Sequence, residues 1–284
     1  MRHVTHKALL IFAALGVCWN APARAETPGP VTIPLSPYLG VIWSFQATVK
    51  DKPETFLLDT AGGVTVITPQ TAAELGCEPW GQITGFRMRG DRVDMQRCDH
   101  AGFAVGDARL VAPTAGVWDF SHILPKNAPP LAGSIALDSF AGQVVTLDLA
   151  HRQLVIETPQ SLKQRIAGAT AVEMRISRDA EGLALTPLLA VETKKGKIWM
   201  ELDSGSDASV VVAQSNAALL GMDPDVKSPQ PLHATLAGGV RLDTDTAAEM
   251  PLILDGNIGA PTLAKWVVTL DLASGRAWIS PAAK

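Results

Sequence analysis

The sequence is poor in the parts from which most catalytic centres and nucleic-acid surfaces are built. Three cysteines and six scattered histidines offer no spacing that would hold a metal ion. There is no Gly-x-Ser-x-Gly elbow, phosphate-binding loop or dinucleotide fingerprint, so serine-hydrolase, nucleotide and nicotinamide chemistry have no support. Lysine and arginine total 24 against 28 acidic residues, and no basic patch is visible, which argues against nucleic acid as a partner. Tyrosine occurs once, at Tyr38. Long apolar runs are missing after the first residues, so no membrane association is expected of the mature chain.

The first run has its own meaning. Arg2 and Lys7 surround an entry into the uncharged apolar stretch Ala8 to Trp19, and Ala23-Arg24-Ala25 sets small residues at the −3 and −1 positions. Residues 1–25 therefore read as a signal peptide cleaved before Glu26. A lipoprotein reading through Cys18 is the alternative, although Val17 is a poor residue before a lipidated cysteine. Loss of Arg2, Lys7 and Arg24 takes the net charge from −4 to −7. The expected product is a soluble, exported monomer, periplasmic or secreted. Cys77 and Cys98 then remain as an even pair in an oxidising compartment. A disulfide between them would close a loop of about 20 residues and contribute roughly 3 kcal/mol; two buried free thiols are the other arrangement.

What is present is a chain written twice. Val144 to Ala150 returns unchanged as Val267 to Ala273. Gly133-Ser134-Ile135 returns as Gly256-Asn257-Ile258, and Leu154-Val155-Ile156 as Ala277-Trp278-Ile279. Upstream, Leu58-Asp59-Thr60-Ala61 matches Leu202-Asp203-Ser204-Gly205, followed by Thr65 and Ser209 respectively. The modules keep their order, which points to duplication. The implied organisation is a first lobe over residues 26–157, a linker over 158–170 and a second lobe over 171–284.

Each half reads as mostly β. Trp43, Phe45, Ala47 and Val49 alternate with polar neighbours, Asp51-Lys52-Pro53 turns, and Phe56-Leu57-Leu58 returns to deliver Asp59. In the second half Lys194 to Lys197 turns and Ile198 to Met200 runs back toward Asp203. Short helices are expected at Pro69–Gly76 and Ala213–Gly221. Glycine-bearing hairpins are expected at Thr84–Val93 and Ala234–Leu242. Val111 to Pro130, with four prolines, reads as a long irregular insertion. Trp43, Trp199, Trp266 and Trp278 are expected in the core, and Asp148 and Asp271 as turn or strand-edge acids.

These residues resemble the aspartic peptidases of the retroviral and pepsin-like type. The resemblance rests on Asp203-Ser204-Gly205-Ser206 after an apolar strand, on Asn257-Ile258-Gly259 as the later apolar turn, and on the matching elements of the first half. It implies a mostly β, two-lobed fold in which each lobe is a retropepsin-like β-barrel with one or two short helices. It further implies peptide-bond hydrolysis by water activated between Asp59 and Asp203, without metal or cofactor. Thr60 and Ser204 would hydrogen-bond across the lobes, with Gly205 and Ser206 supporting the acids. Ser206 would donate to Asp203 and leave Asp59 holding the shared proton. Gly85, Phe86 and Met88, and in the second half Gly238 and Gly239, would form flaps over an extended peptide or protein substrate. The first half departs from the family pattern at Ala61 and Ala136, and Gly62 stands where the second half has Ser206. Two functions follow: an exported aspartic endopeptidase, or an inactive relative that binds peptide or a protein partner in the same cleft.

Overall fold

Alternation of apolar and polar residues sets the strands, and tight turns fold them into hairpins. The computed structural model describes residues 29–40 and 42–283; the signal segment, Cys18 and Val41 lie outside them. The strand Ile42–Val49 turns at Lys50, whose φ is +53°, into the strand Lys52–Asp59. Phe45 and Phe56 face each other in this hairpin, and both are buried. Thr186–Thr193 and Gly196–Asp203 make the equivalent hairpin in the second half.

Three sheets result. Eight strands of the first half form one, from Ser36–Tyr38 to Trp80–Phe86, and a pairing of Thr48 with Ala104 curls it back on itself. Seven strands of the second half form another, closed by a bridge between Val191 and Leu236. The third, of six strands, is shared by the halves: Val144–Asp148 runs antiparallel to Trp266–Asp271. In that pair Thr146 lies opposite Thr269, its counterpart in the repeat, with the hydroxyl oxygens 3.0 Å apart.

Two parallel pairings position the aspartates. Lys52–Asp59 lies beside Gly133–Ala136, and Gly196–Asp203 beside Gly256–Gly259. Leu58, Ile135, Leu202 and Ile258 bury their side chains completely or nearly so, each contributing about 1.5–3 kcal/mol. They also fix register, because a slip of one residue would turn Leu58 outward and Asp59 into the core.

Local chemistry accounts for the remaining elements and for the departures from expectation. Thr68 caps the helix Pro69–Leu75 by accepting from the Thr71 N–H, and Gly76, at φ +74°, ends it. The structure joins Cys77, just beyond that helix, to Cys98 in the strand Arg92–Val105, with Cα atoms 5.9 Å apart. The helix expected at 213–221 is only a 3₁₀ turn, Ala217–Leu220, because the β-branched run before it is the buried strand Val210–Ala213. The segment expected to be irregular begins with a strand, Ala108–Val117, paired with Arg92–Val105. Pro113 is tolerated there because it lies where the ladder skips, opposite His100 at φ +56°. Residues 158–170 contain a capped helix, Pro159–Arg165. Of the four tryptophans, Trp266 is buried and Trp43 packs half-buried against the core, whereas Trp199 and Trp278 are half-buried on the outer face. Trp199 sits between inward-facing Ile198 and Met200, and Trp278 between Ala277 and Ile279, so the strand period turns both out. Arg175 and Arg276 cover those two rings. Asp148 and Asp271 are buried turn acids, bonded to His151 and to Ser274 and Arg276 respectively.

Candidate active site

The two aspartate loops are tied to each other by the residue that follows each acid. The Thr60 N–H donates to Ser204 Oγ at 3.1 Å, and the Ser204 N–H donates to Thr60 Oγ1 at 2.9 Å. The hydroxyls pass on to the opposite strand: Thr60 to the Leu202 carbonyl at 2.6 Å, Ser204 to the Leu58 carbonyl at 2.8 Å. Both side chains are buried, so these bonds are made out of water's competition. Above them the Ala61 N–H donates to Asp59 Oδ1 at 3.1 Å and the Gly205 N–H to Asp203 Oδ1 at 2.8 Å. A methyl group on Gly205 would lie 3.2 Å from Asp203 Oδ1 and 3.2 Å from the carboxyl carbon of Asp59. The two acids are thus gathered at one point, and a side chain at position 205 would crowd both.

The copies are unequal in a coupled way. In the second half Gly259 cannot carry a side chain, since a Cβ would fall 1.9 Å from the Ala208 carbonyl oxygen, while Ser206 has one. In the first half the bulk is exchanged: Ala136 carries the methyl and Gly62 none. A Cβ on Gly62 would lie 3.0 Å from Asp59 Oδ2 and 3.4 Å from the Ala136 methyl. Ala61 is outside the left-handed region and needs no glycine, so its N–H reaches Asp59 as the Gly205 N–H reaches Asp203.

Asp203 is supported by Asn257 rather than by the Ser206 hydroxyl. Asn257 Nδ2 donates to Asp203 Oδ2 at 2.6 Å and to Glu201 Oε1 at 3.0 Å. The Ser206 hydroxyl instead accepts from the Ala208 N–H at 3.3 Å, a local turn that holds it off the carboxylate. The first half has Ser134 where Asn257 stands, and its buried hydroxyl oxygen has no partner.

Burial first, and then the charge of Asp203, push Asp59 up to about 7, against the N–H donors of Ala61 and Gly62. Burial also raises Asp203, opposed by the Asn257 amide and the N–H groups of Gly205 and Ser206. Asp203 thus has one hydrogen-bond donor more than Asp59, and the two acids titrate together as a pair. A third acid, Glu201, is pushed up to about 8 by burial, then by the charge of Asp203, with smaller contributions from Asp59 and Asp179. Asn257 enters the sequence pattern only as part of the later turn, and Glu201 does not enter it. The signal was an acid two residues before Asp203 on a period-two strand, which puts both on one face.

These groups floor a cleft of about 430 Å³. Gly85, Phe86 and Met88 also line it. The Ile253 N–H donates to the Met88 carbonyl at 3.0 Å, fastening the hairpin tip to the other half. At the hairpin base Arg97 pairs with Glu181 at 2.5 Å. Val64, Val66, Met95, Trp118 and Phe120 make an apolar wall, and Asp207 stands exposed at the mouth. Gly238 and Gly239 do not line the cleft. Their hairpin is pinned elsewhere, the Ala237 carbonyl accepting from Glu173 at 3.0 Å and the Ala237 N–H donating to Ala190 at 2.8 Å. Among the described residues no group of three or more His, Cys, Asp or Glu side chains could hold a metal ion, and no helix is long and apolar enough to cross a membrane.

Residues 45–137, which include Asp59, match the aspartyl protease family. The chain is similar in structure to basic 7S globulin from soybean, with a TM-score of 0.60 and 10% identity over 89% of this chain and 95% of that one. It is similar to conglutin gamma, a basic 7S globulin from lupine seeds, with a TM-score of 0.57 and 10% identity over 91% and 96%. Aspartic proteinase from Irpex lacteus aligns with a TM-score of 0.54 and 10% identity over 90% and 98%. No curated protein matches. The chain has the mostly β, two-lobed fold of the pepsin-like aspartic proteinases.

Proposed function

We propose that this chain is an exported aspartic endopeptidase that hydrolyses peptide bonds in extended peptide or unfolded protein segments. The observation that carries the reading is the convergence of Asp59 and Asp203, from equivalent loops of the repeat, against Gly205 on the floor of a roofed cleft. Export is supported by the leader-like first 25 residues and by the Cys77–Cys98 bond.

In this reading the dyad works with one proton between two carboxyl groups. Ionised Asp203 takes a proton from water as the water oxygen attacks the peptide carbonyl carbon, and protonated Asp59 donates to the carbonyl oxygen. Collapse of the tetrahedral adduct breaks the C–N bond: the proton taken up by Asp203 passes to the leaving nitrogen, and one hydroxyl of the adduct returns its proton to Asp59 as the new carboxyl group forms. The hairpin of the strands Trp80–Phe86 and Arg92–Val105, with its tip, would exclude water and hold the substrate backbone.

The departures from the family pattern at Ala61 and Ala136 favour a second reading, a cleft that binds peptide without cutting it. One assay separates the two. The mature protein is incubated with a denatured protein substrate from about pH 3 to pH 8, beside Asp59→Asn and Asp203→Asn. The expected result is cleavage by the parent and a loss of about a thousandfold or more in each variant. Absence of cleavage at every pH overturns the peptidase reading, and cleavage untouched by either substitution assigns the activity elsewhere.

A further inference from the structure

We propose that Glu201, held in place by Asn257, is a recognition subsite for a cationic side chain, lysine or arginine, of a peptide lying in the cleft. The inference rests on the reading of the cleft as a peptide site, and it does not require that the peptide be cut.

The pair belongs to one half only. Glu201 and Asn257 are neighbours across a parallel strand pair, and the corresponding neighbours in the first half are Leu57 and Ser134. An apolar position has therefore become acidic at one of two equivalent places. Glu201 lines the cleft on the same strand face as Asp203, about 6–7 Å further back along the strand. A side chain held there would belong to a residue close to the bond that the dyad attacks, on the second-half side.

The acceptors of this floor outnumber its donors. Glu201 receives one hydrogen bond, from Asn257, which leaves Oε2 without a partner among the described residues. Asn257, buried and outside the cleft lining, commits both amide protons to Asp203 and Glu201 and so holds the Glu201 carboxyl group in place. Ser134 Oγ is an independent sign of a missing ligand: it lines the same cleft, its residue is 7% exposed, and nothing bonds it. A buried acceptor without a donor is costly, so a donor-rich group has most to gain here. Lysine brings three donors and arginine five, each with a full charge. Charge points the same way. Asp59, Asp203, Glu201 and Asp207 line the cleft, against a single lining cation, Arg87 in the hairpin tip. Burial and the charge of Asp203 hold Glu201 protonated in the empty cleft at neutral pH, and a cation arriving beside it favours its ionised form, a carboxylate that the dyad does not use.

The test compares octapeptides that carry lysine at one position in turn with the same peptides carrying uncharged, similarly sized norleucine. Dissociation constants are read by fluorescence polarisation on the non-cleaving Asp59→Asn protein, and kcat/KM on the parent. At one position lysine is expected to be preferred by about tenfold or more. Glu201→Gln, which can still accept from Asn257, is expected to abolish the ratio. Equal handling of lysine and norleucine at every position overturns the proposal, as does a preference that survives Glu201→Gln. A lysine preference in binding without any cleavage upholds the subsite and defeats the peptidase reading; cleavage without the preference does the reverse. Binding of neither peptide defeats both. Should Glu201→Gln fail to fold, replacing the lysine by glutamate in the peptide decides the matter on the unaltered cleft, where rejection is expected and tolerance would overturn the subsite.

Discussion

The backbone N–H of Ile253 donates to the carbonyl oxygen of Met88, so the hairpin tip of one half is held by a loop of the other. The roof is closed in this structure by a bond worth about 1 kcal/mol, a barrier that substrate can overcome.

Opening of that roof is testable at Gly90. Its φ is +89°, and a Cβ there would lie 3.1 Å from the Ile253 side chain. Gly90→Val combines a strained backbone with a clash and should lift the tip. Trypsin is expected to cut at Arg87 or Arg89 about tenfold faster in the variant, read by limited proteolysis. An unchanged cutting rate would mean that the latch does not control access.

Stability should depend on pH through Asp59. Its pKa rises from the ordinary 3.8 to about 7, so folding favours the protonated form. That contribution is complete below the unfolded value and is lost as pH climbs through the folded one. Asp59→Asn is therefore expected to stabilise the fold at about pH 8, by at most roughly 4 kcal/mol, and hardly at all at about pH 4. Urea unfolding at the two pH values checks this. An equal gain at both would remove charge as the cause.

Asn257 should set the acid limb of the pH–rate profile. Its amide donates to Asp203 at 2.6 Å and favours the ionised form. Asn257→Leu is expected to move that limb upward by about one pH unit. The position of the limb in kcat/KM is the measurement; a limb that stayed in place would return the asymmetry to the backbone donors alone.

Gly62 and Ala136 should behave as a coupled pair. Gly62→Ser alone would place atoms 3.0 Å from Asp59 Oδ2 and 3.4 Å from the Ala136 methyl, at a cost of about 1–3 kcal/mol. Ala136→Gly removes the longer of these contacts and should recover a part of that loss, although alone it opens a gap. Chemical denaturation of the two single variants and the double variant gives the interaction energy. Simple additivity would refute the coupling.

Much of this was legible in the sequence because it depends on local pattern. Alternation set the Ile42–Val49 and Lys52–Asp59 hairpin, and repetition brought Asp59 and Asp203 into one hypothesis before any coordinates. What escaped was decided by distant partners. Pro113 looked like a breaker, yet the Arg92–Val105 strand accommodates it at a skipped pair. Ser206 looked like the donor to Asp203 by proximity in sequence, whereas Asn257, more than fifty residues away, occupies that place. Gly238 and Gly239 had the composition of a flap, but backbone bonds to Glu173 and Ala190 anchor their hairpin outside the cleft.

The meeting of Thr146 with Thr269 has a consequence for how the two halves came to differ. Equivalent residues that face each other mark an axis of approximate two-fold symmetry, the arrangement that two identical subunits would adopt in an isologous dimer. In such a dimer a change at one position is imposed on both sides. Covalent fusion lifts that constraint: Leu57 and Glu201, or Ser134 and Asn257, are separate letters free to change independently. A symmetric ancestor would have had to be acidic on both walls or on neither, while the fused chain can present one greasy wall and one charged one to the same occupant.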